Sequence, residues 1–461
     1  MAELARLQLE RKYAPSIEGN VKLNRKLVSF QANKKTPFYN WFPYKEGFSA
    51  EMVKLFINEY PKKTGVVLDP FGGTGTTLFA SSSMGFDSVG IELLPVGIFV
   101  SKTREVADKV NLDFLLQEIK KLKAVDFSKS EIDENLKFKH VRITEKAFSP
   151  ETERKLNAYL TYINRIKDAD IKQLLRFACF SILEPISYTR KDGQYLRWDS
   201  RAKKGKTDFN KGKILSFEEA LYEKLNQIAN DINTSRLMPR AEKPNGKMEL
   251  KTGSCLEILP TVPANSFDLV ISSPPYCNRY DYTRTYALEL VFLGVGEDEI
   301  RDLRQRMLTC TVENKDKVEL LKNIYSKNGQ KELFEQAEAT FNSNEALQEI
   351  LGILQTYKEE NKLNNPGIYR MVKNYFYEHA FIIYEMARVL KNGGRVYYVN
   401  DNVRYAGETI PVDLILSEFA HEAGLNVKKI YKLPKGKGNS SQQMGKHGRE
   451  EVRKCVYCWE K

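Results

Sequence analysis

The chain has 461 residues, 42% of them hydrophobic, enough to bury a substantial core in one large domain with insertions or in two or three domains. Lysine and arginine outnumber the acids by 72 to 60, a formal net charge of +12 that points toward a polyphosphate partner. No run of about 18 uncharged apolar residues occurs, and Met1 to Lys12 alternates apolar with charged positions, so neither a membrane span nor a secretory signal is expected and a soluble cytoplasmic protein is.

Residues 1–35 are charged and mixed and are expected as an N-terminal extension. Thr36 to Tyr60 holds a dense aromatic stretch, Phe38, Tyr39, Trp41, Phe42, Tyr44 and Phe48, followed by a helical pattern with Ser49 as its N-cap. Gly65 to Asp69 predicts a short buried strand running into a Pro-Phe-Gly-Gly turn, Thr76 to Met84 a helix, and Ser88 to Glu92 a second strand. Strand, helix and strand in such close order begin a parallel α/β sheet. Residues 105–245 break that rhythm: they are mostly helical in pattern and carry a basic patch. Tyr188 to Lys213 holds nine basic residues against three acids, half of the chain's whole excess. The sheet resumes at 246–290, with Phe267 to Ile271 as another buried strand, and a second helical, charged insertion occupies 291–375. Gly394 to Asn400 predicts a strand, Pro411 to His421 a helix, and Val427–Leu433 and Val452–Trp459 two further strands.

Two turns carry chemistry. In Asp69-Pro-Phe-Gly-Gly-Thr-Gly-Thr-Thr77 the glycines lie between a strand and a helix, where the backbone can approach a ligand closely. Glu92 ends the next strand, 20 residues after Gly72, where a carboxylate meets ribose hydroxyls in nucleotide-binding α/β folds. The turn lacks the Lys-Ser/Thr ending of a phosphate-binding loop, which disfavours a nucleoside triphosphate. The second turn, Ser272-Ser-Pro-Pro-Tyr276, directly follows a buried strand. Its two prolines stiffen the backbone and remove two donors, leaving carbonyl acceptors beside the Ser273 hydroxyl and the Tyr276 ring.

The pair of turns closely resembles the cofactor and catalytic motifs of the amino-group DNA methyltransferases, and the serine version of the second is similar to that of the cytosine-N4 branch. Trp41 to Ser49 looks like the segment closing over the methionine end of the cofactor, and Gly253-Ser254 like the segment facing the adenine. Arg388 to Gly394 resembles the helix-to-strand junction after the catalytic motif, and Arg453 to Trp459 the closing antiparallel strand. The resemblance covers roughly 36–104, 250–290 and 376–461. It implies a Rossmann-like methyltransferase fold with a mostly parallel sheet, an antiparallel C-terminal strand and two helical insertions, acting on double-stranded DNA beside a cognate restriction or defence protein. S-adenosylmethionine would then contact Trp41, Asp69, Pro70, Phe71, Gly72, Gly73, Thr74, Gly75, Thr76, Glu92 and Ser254, and Ser273, Pro274, Pro275 and Tyr276 would form the catalytic turn.

An exocyclic amine is a poor nucleophile because its lone pair is delocalised into the ring. Ser273 and the Pro274 carbonyl, accepting from its N–H groups, would localise that pair toward the methyl donor, while Tyr276 stacks on the flipped base. Phe71 would pack against the cofactor, and Asp69 would accept from its amino group or order the loop. Ser254 departs from the Asp of many relatives. The motif order, with the large insertion ahead of Gly253, departs from the usual permutation classes. Ring-carbon methylation would need a Pro-Cys nucleophile, whereas Cys277 follows Tyr276 and reads as packing. Cys455 and Cys458 alternate across a strand and His140, His379, His421 and His447 are dispersed, so no metal site is expected. Arg190, Lys191, Arg197, Arg201, Lys203, Lys204 and Lys206 form the expected DNA-binding patch, with Arg301 to Arg306 as a second one. Adenine-N6 or RNA methylation, and a non-catalytic DNA-binding subunit with a relict cofactor fold, remain open at this point. No separate nuclease domain is evident.

Overall fold

The computed structural model describes residues 4–192, 195–205, 207–237, 245–434 and 451–461. The described strands, in chain order, are β1 (Ile17–Gly19), β2 (Val66–Asp69), β3 (Asp87–Glu92), β4 (Thr189–Asp192), β5 (Tyr195–Trp198) and β6 (Met248–Thr252). They continue with β7 (Phe267–Ser272), β8 (Leu390–Asp401), β9 (Val403–Tyr405), β10 (Glu408–Ile410), β11 (Asn426–Lys432) and β12 (Lys454–Glu460). Eight of them form one sheet in the order β1-β11-β12-β8-β7-β2-β3-β6. All neighbouring pairs are parallel except the two made by β12, which runs against both β8 and β11. This is a Rossmann-like sheet closed by one antiparallel strand.

The central strands are apolar at nearly every position because both faces are covered: all six residues of β7 are buried. At the edge, Met-Glu-Leu-Lys-Thr of β6 has no fully buried residue. One face is covered by the helix Ala50–Glu59, which Ser49 caps from its side chain. Met52, Val53, Phe56 and Ile57 pack there on Val67, Leu269 and Ile271. The other face lies under the helices Gly367–Val389 and Val412–Glu422, over Leu68, Val270, Val396 and Tyr398. The Gly367–Val389 helix is buried on nearly all sides because the second insertion's helices, Val318–Lys327, Lys331–Ser343 and Glu345–Glu359, share that core.

Residues 4–35, expected as part of an N-terminal extension, pack on the rest of the fold: β1 extends the sheet beside β11, and the helix Ala5–Tyr13 docks through Arg6, whose Nε donates to Glu349 at 2.7 Å. The first insertion builds a core of its own from Leu115, Tyr159, Phe177, Phe180 and Leu221, and this core also takes in Trp41 and Phe42. Within this insertion, the first part of the basic patch forms an antiparallel strand pair, β4 against β5.

Candidate active site

The carboxyl edge of the sheet brings the two turns together. After β2, Gly73 takes φ +51, a left-handed conformation that glycine adopts without strain, and the helix Thr76–Ser83 begins behind Gly75. The helix Pro95–Ala107 crosses so closely that a Cβ on Gly97 would stand 2.3 Å from the Gly73 carbonyl oxygen. Glu92 ends β3 and clamps the turn: its carboxylate accepts from the Gly73 and Leu94 amides, each at 2.6 Å. Burial pushes its pKa up to about 7 against those amide bonds.

Asp69 joins the turns. Its buried carboxylate accepts from Thr77 Oγ1 at 2.7 Å, from the Phe71 amide at 3.1 Å and from Ser272 Oγ at 2.5 Å, directly before the second turn. Desolvation lifts it to about 6, with the three hydrogen bonds pulling the other way. In the second turn Ser273 Oγ donates to the Tyr276 hydroxyl at 3.1 Å, Pro274 and Pro275 are buried, and the Cys277 carbonyl accepts from Tyr405 at 2.7 Å. Burial pushes the Cys277 thiol well up and keeps it protonated, so it is no nucleophile. Cys455 and Cys458 lie in cores on opposite faces of the sheet, as strand alternation requires.

A cleft opens between the turns. Asp69 to Thr74, Thr76, Glu92, Gly253, Ser254, Ser273 and Pro275 line it, and Tyr44, Glu46, Gly47 and Phe48 close one side. Among the described residues its lining includes three acids, Glu46, Asp69 and Glu92, and no lysine or arginine, although the chain carries +12 overall. The family model described as a DNA methylase matches residues 12–96. Type II methyltransferase M.AvaI of Nostoc sp. is 49% identical over 98% of this chain and 92% of its own length. Type II methyltransferase M.BsoBI of Geobacillus stearothermophilus is 43% identical over the whole chain and 92% of its own length.

The chain belongs to the Type II DNA methyltransferases.

M.MjaII of Methanocaldococcus jannaschii is similar over a shorter stretch, 28% identical across 25% of this chain. No solved structure gives a significant match. Membership implies DNA as substrate and S-adenosylmethionine as methyl donor, and the cleft of this methyltransferase suits that donor chemically. An acidic, mostly apolar lining favours a sulfonium and an ammonium over phosphates. Among the described residues no helix is long and apolar enough to cross a membrane.

Trp41 does not line the cleft. Its indole is fully buried in the first insertion's core, against Phe177, and Nε1 donates to Asp231 at 2.8 Å. The segment around it does approach the cleft, but through Tyr44 to Phe48; Glu46 is held there by the Tyr280 and Tyr286 hydroxyls. Gly75 shapes the helix start without lining the cleft, and Pro274 and Tyr276 do not line it either, Tyr276 being joined to Ser273 through its hydroxyl. Tyr282, Met307 and Leu308, which also line the cleft, carry no motif that would have marked them.

The methyltransferase's basic patch divides. On β4 the alternation points Arg190 outward and Lys191 inward, so Lys191 is not available to DNA: it is buried against Glu289, with its ammonium 4.9 Å over the Tyr286 ring. Lys204 is likewise turned in, capping the Arg142, Ile143 and Glu145 carbonyls at 2.7, 3.2 and 3.0 Å. Arg201 forms a two-pronged pair with Asp199 at 2.7 and 2.8 Å. Arg197 is exposed, 3.1 Å from Asp192 and stacked on Phe209. Arg190 and Lys203 are exposed, and Lys206 lies outside the described residues. In the second candidate, Arg304 and Arg306 are paired with Asp281 and Glu257 at 3.0 and 2.9 Å, and Arg301 with Asp298 at 3.1 Å.

Proposed function

We propose that the protein methylates the N4 amino group of cytosine in double-stranded DNA, with S-adenosylmethionine in the cleft between the turns, and so protects DNA from a cognate restriction endonuclease. The observation that carries this reading is the hydrogen bond from Ser272 to Asp69, which sets the Ser-Pro-Pro-Tyr turn against the glycine-rich turn across one cleft. The donor, when bound, supplies an electrophilic methyl group on a sulfonium.

Everything else falls to the chain's own residues. Glu92, at the carboxyl end of β3, is placed to accept from ribose hydroxyls, and the apolar side chains of Phe71, Ile91 and Leu93 flank it. Ser273 Oγ and the Pro274 carbonyl accept from the target amine and draw its lone pair out of the ring. Tyr276 stacks on the flipped base, and Arg190, Arg197 and Lys203 meet phosphates. The serine at 273 supports cytosine over adenine, through its similarity to the cytosine-N4 branch.

The test is nucleoside mass spectrometry, with single-molecule sequencing, of DNA from cells expressing the protein. N4-methylcytosine at one recurrent site is the expected product. N6-methyladenine would overturn the base assignment while leaving the turns in place, and unmodified DNA would overturn the catalytic reading.

A further inference from the structure

The closing strand does more than end the sheet. Lys454 opens β12 directly opposite Asp401, the last residue of β8, and β8 is the neighbour of β7, from which the Ser273–Tyr276 turn emerges. The Lys454 ammonium lies 3.0 Å from the Asp401 carboxylate and 5.1 Å from the centre of the Tyr276 ring. Both side chains are largely out of water, at 17% and 12% exposure. A cation so withdrawn is disfavoured by desolvation unless a counter-charge holds it, and Asp401 supplies one.

A serine hydroxyl has one proton and two lone pairs. The target amine brings N–H donors, so the hydroxyl is useful only if its own proton is directed elsewhere. In this structure that proton goes to the Tyr276 oxygen at 3.1 Å, while Ser273 lines the cleft. The arrangement needs the Tyr276 ring and oxygen to stay where they are, and the ammonium beside that ring fixes them. We propose that Lys454, held by Asp401, is a positioning residue: it locks Tyr276 so that Ser273 turns its lone pairs toward the target amine. This rests on the reading of Ser273–Tyr276 as the catalytic turn.

The experiment measures methyl transfer from labelled S-adenosylmethionine to unmethylated plasmid DNA, with the full chain carrying Lys454→Ala, Lys454→Met, Lys454→Arg or Asp401→Asn. Ser273→Ala and the Ser273→Ala, Lys454→Ala double variant are measured alongside. Misplacement of a reacting group predicts a kcat loss on the order of 10- to 100-fold for Lys454→Ala and Lys454→Met, with KM for the donor within about two-fold. Lys454→Arg should recover most of the loss, and Asp401→Asn should fall between. Because Lys454 acts on Ser273 through Tyr276, the losses of Lys454→Ala and Ser273→Ala should not multiply in the double variant. Wild-type kcat in Lys454→Met, or losses that multiply in the double variant, would overturn the inference. So would a loss matched by equal weakening of donor binding. If Lys454→Ala does not fold, Lys454→Arg and Asp401→Asn carry the same comparison. Full activity of Ser273→Ala would instead overturn the catalytic turn itself; an inactive Ser273→Ala beside an active Lys454→Met removes only the role given to Lys454.

Discussion

Ser272 Oγ donates to the Asp69 carboxylate at 2.5 Å, so the end of β7 and the end of β2 share one buried acceptor. Thr77 and the Phe71 amide use the same carboxylate. Asp69→Ala would take this acceptor from the Ser272 hydroxyl and the part-buried Phe71 amide, while Thr77 Oγ1 keeps the Ile271 carbonyl at 3.2 Å, at a cost of about 1–3 kcal/mol for each donor left unsatisfied. We expect lower stability in urea unfolding together with loss of both donor binding and turnover, because both turns lose their common anchor. Normal donor binding in Asp69→Ala would show that the turns are held independently.

Gly73→Asp should abolish binding of S-adenosylmethionine and of its demethylated product in isothermal titration. The substitution forces a side chain onto φ +51, with its Cβ 3.3 Å from the Tyr44 ring, and adds a carboxylate beside Glu92. Trp41→Ala should behave differently. It should cost about 3–5 kcal/mol of stability, as emptying a core aromatic site does, and any residual folded protein should bind the donor normally.

Glu92 gives a pH prediction with two opposite signs. Burial, its largest influence, raises it to about 7, as it raises Asp69 to about 6. Between the ordinary carboxylate range and these values the folded chain binds more protons than the unfolded one. Stability contributed by these groups therefore grows as pH falls from about 7 and is lost as pH rises through it. Donor affinity should run the other way, weakening as pH drops below about 7, because the ionised carboxylate is the proposed acceptor for ribose hydroxyls. Glu92→Gln should flatten that affinity profile between pH 6 and 8; an unchanged slope would remove Glu92 from the donor site.

Tyr276→Ala should lower turnover while leaving donor binding intact, with about 1–3 kcal/mol of base stacking removed. Fluorescence of 2-aminopurine placed at the target position reads the flipped base directly. The proposed stacking on Tyr276 would quench it, so the variant should be brighter; equal signals would argue against stacking.

On the basic patch, neighbouring residues should give different phenotypes. Arg190→Glu and Lys203→Glu should weaken DNA binding and lower the salt slope by about 0.9 for each phosphate that is no longer neutralised. Lys191→Ala should instead destabilise the fold by about 3–5 kcal/mol, since it strands the Glu289 carboxylate in the core. Filter binding across a salt series, with thermal unfolding of each variant, separates the two. Unchanged salt dependence in the Arg190→Glu, Lys203→Glu double variant would move the DNA surface elsewhere.

The local patterns were legible because they follow from short-range physics. The buried run Phe267 to Ser272, the glycines from Gly72 to Gly75 and the N-cap at Ser49 each name an element from its own residues, and all appear close to where the sequence places them. The alternation of Cys455 and Cys458 across β12 is of the same kind. What the tertiary structure decided is which face each side chain turns to and which distant residue it meets. Trp41 and Tyr44 are equivalent as aromatics in one stretch, yet only Tyr44 reaches the cleft, because Asp231 and Phe177 of the first insertion claim the Trp41 indole. Lys191 reads as one more cation of a patch until Glu289, 98 positions later, pulls it inward. Lys454 looks like a residue of the last strand until the sheet order sets it against Asp401 and beside Tyr276. Composition and spacing report a residue's own preferences; pairings over such separations depend on strand order and insertion packing, which no local pattern encodes.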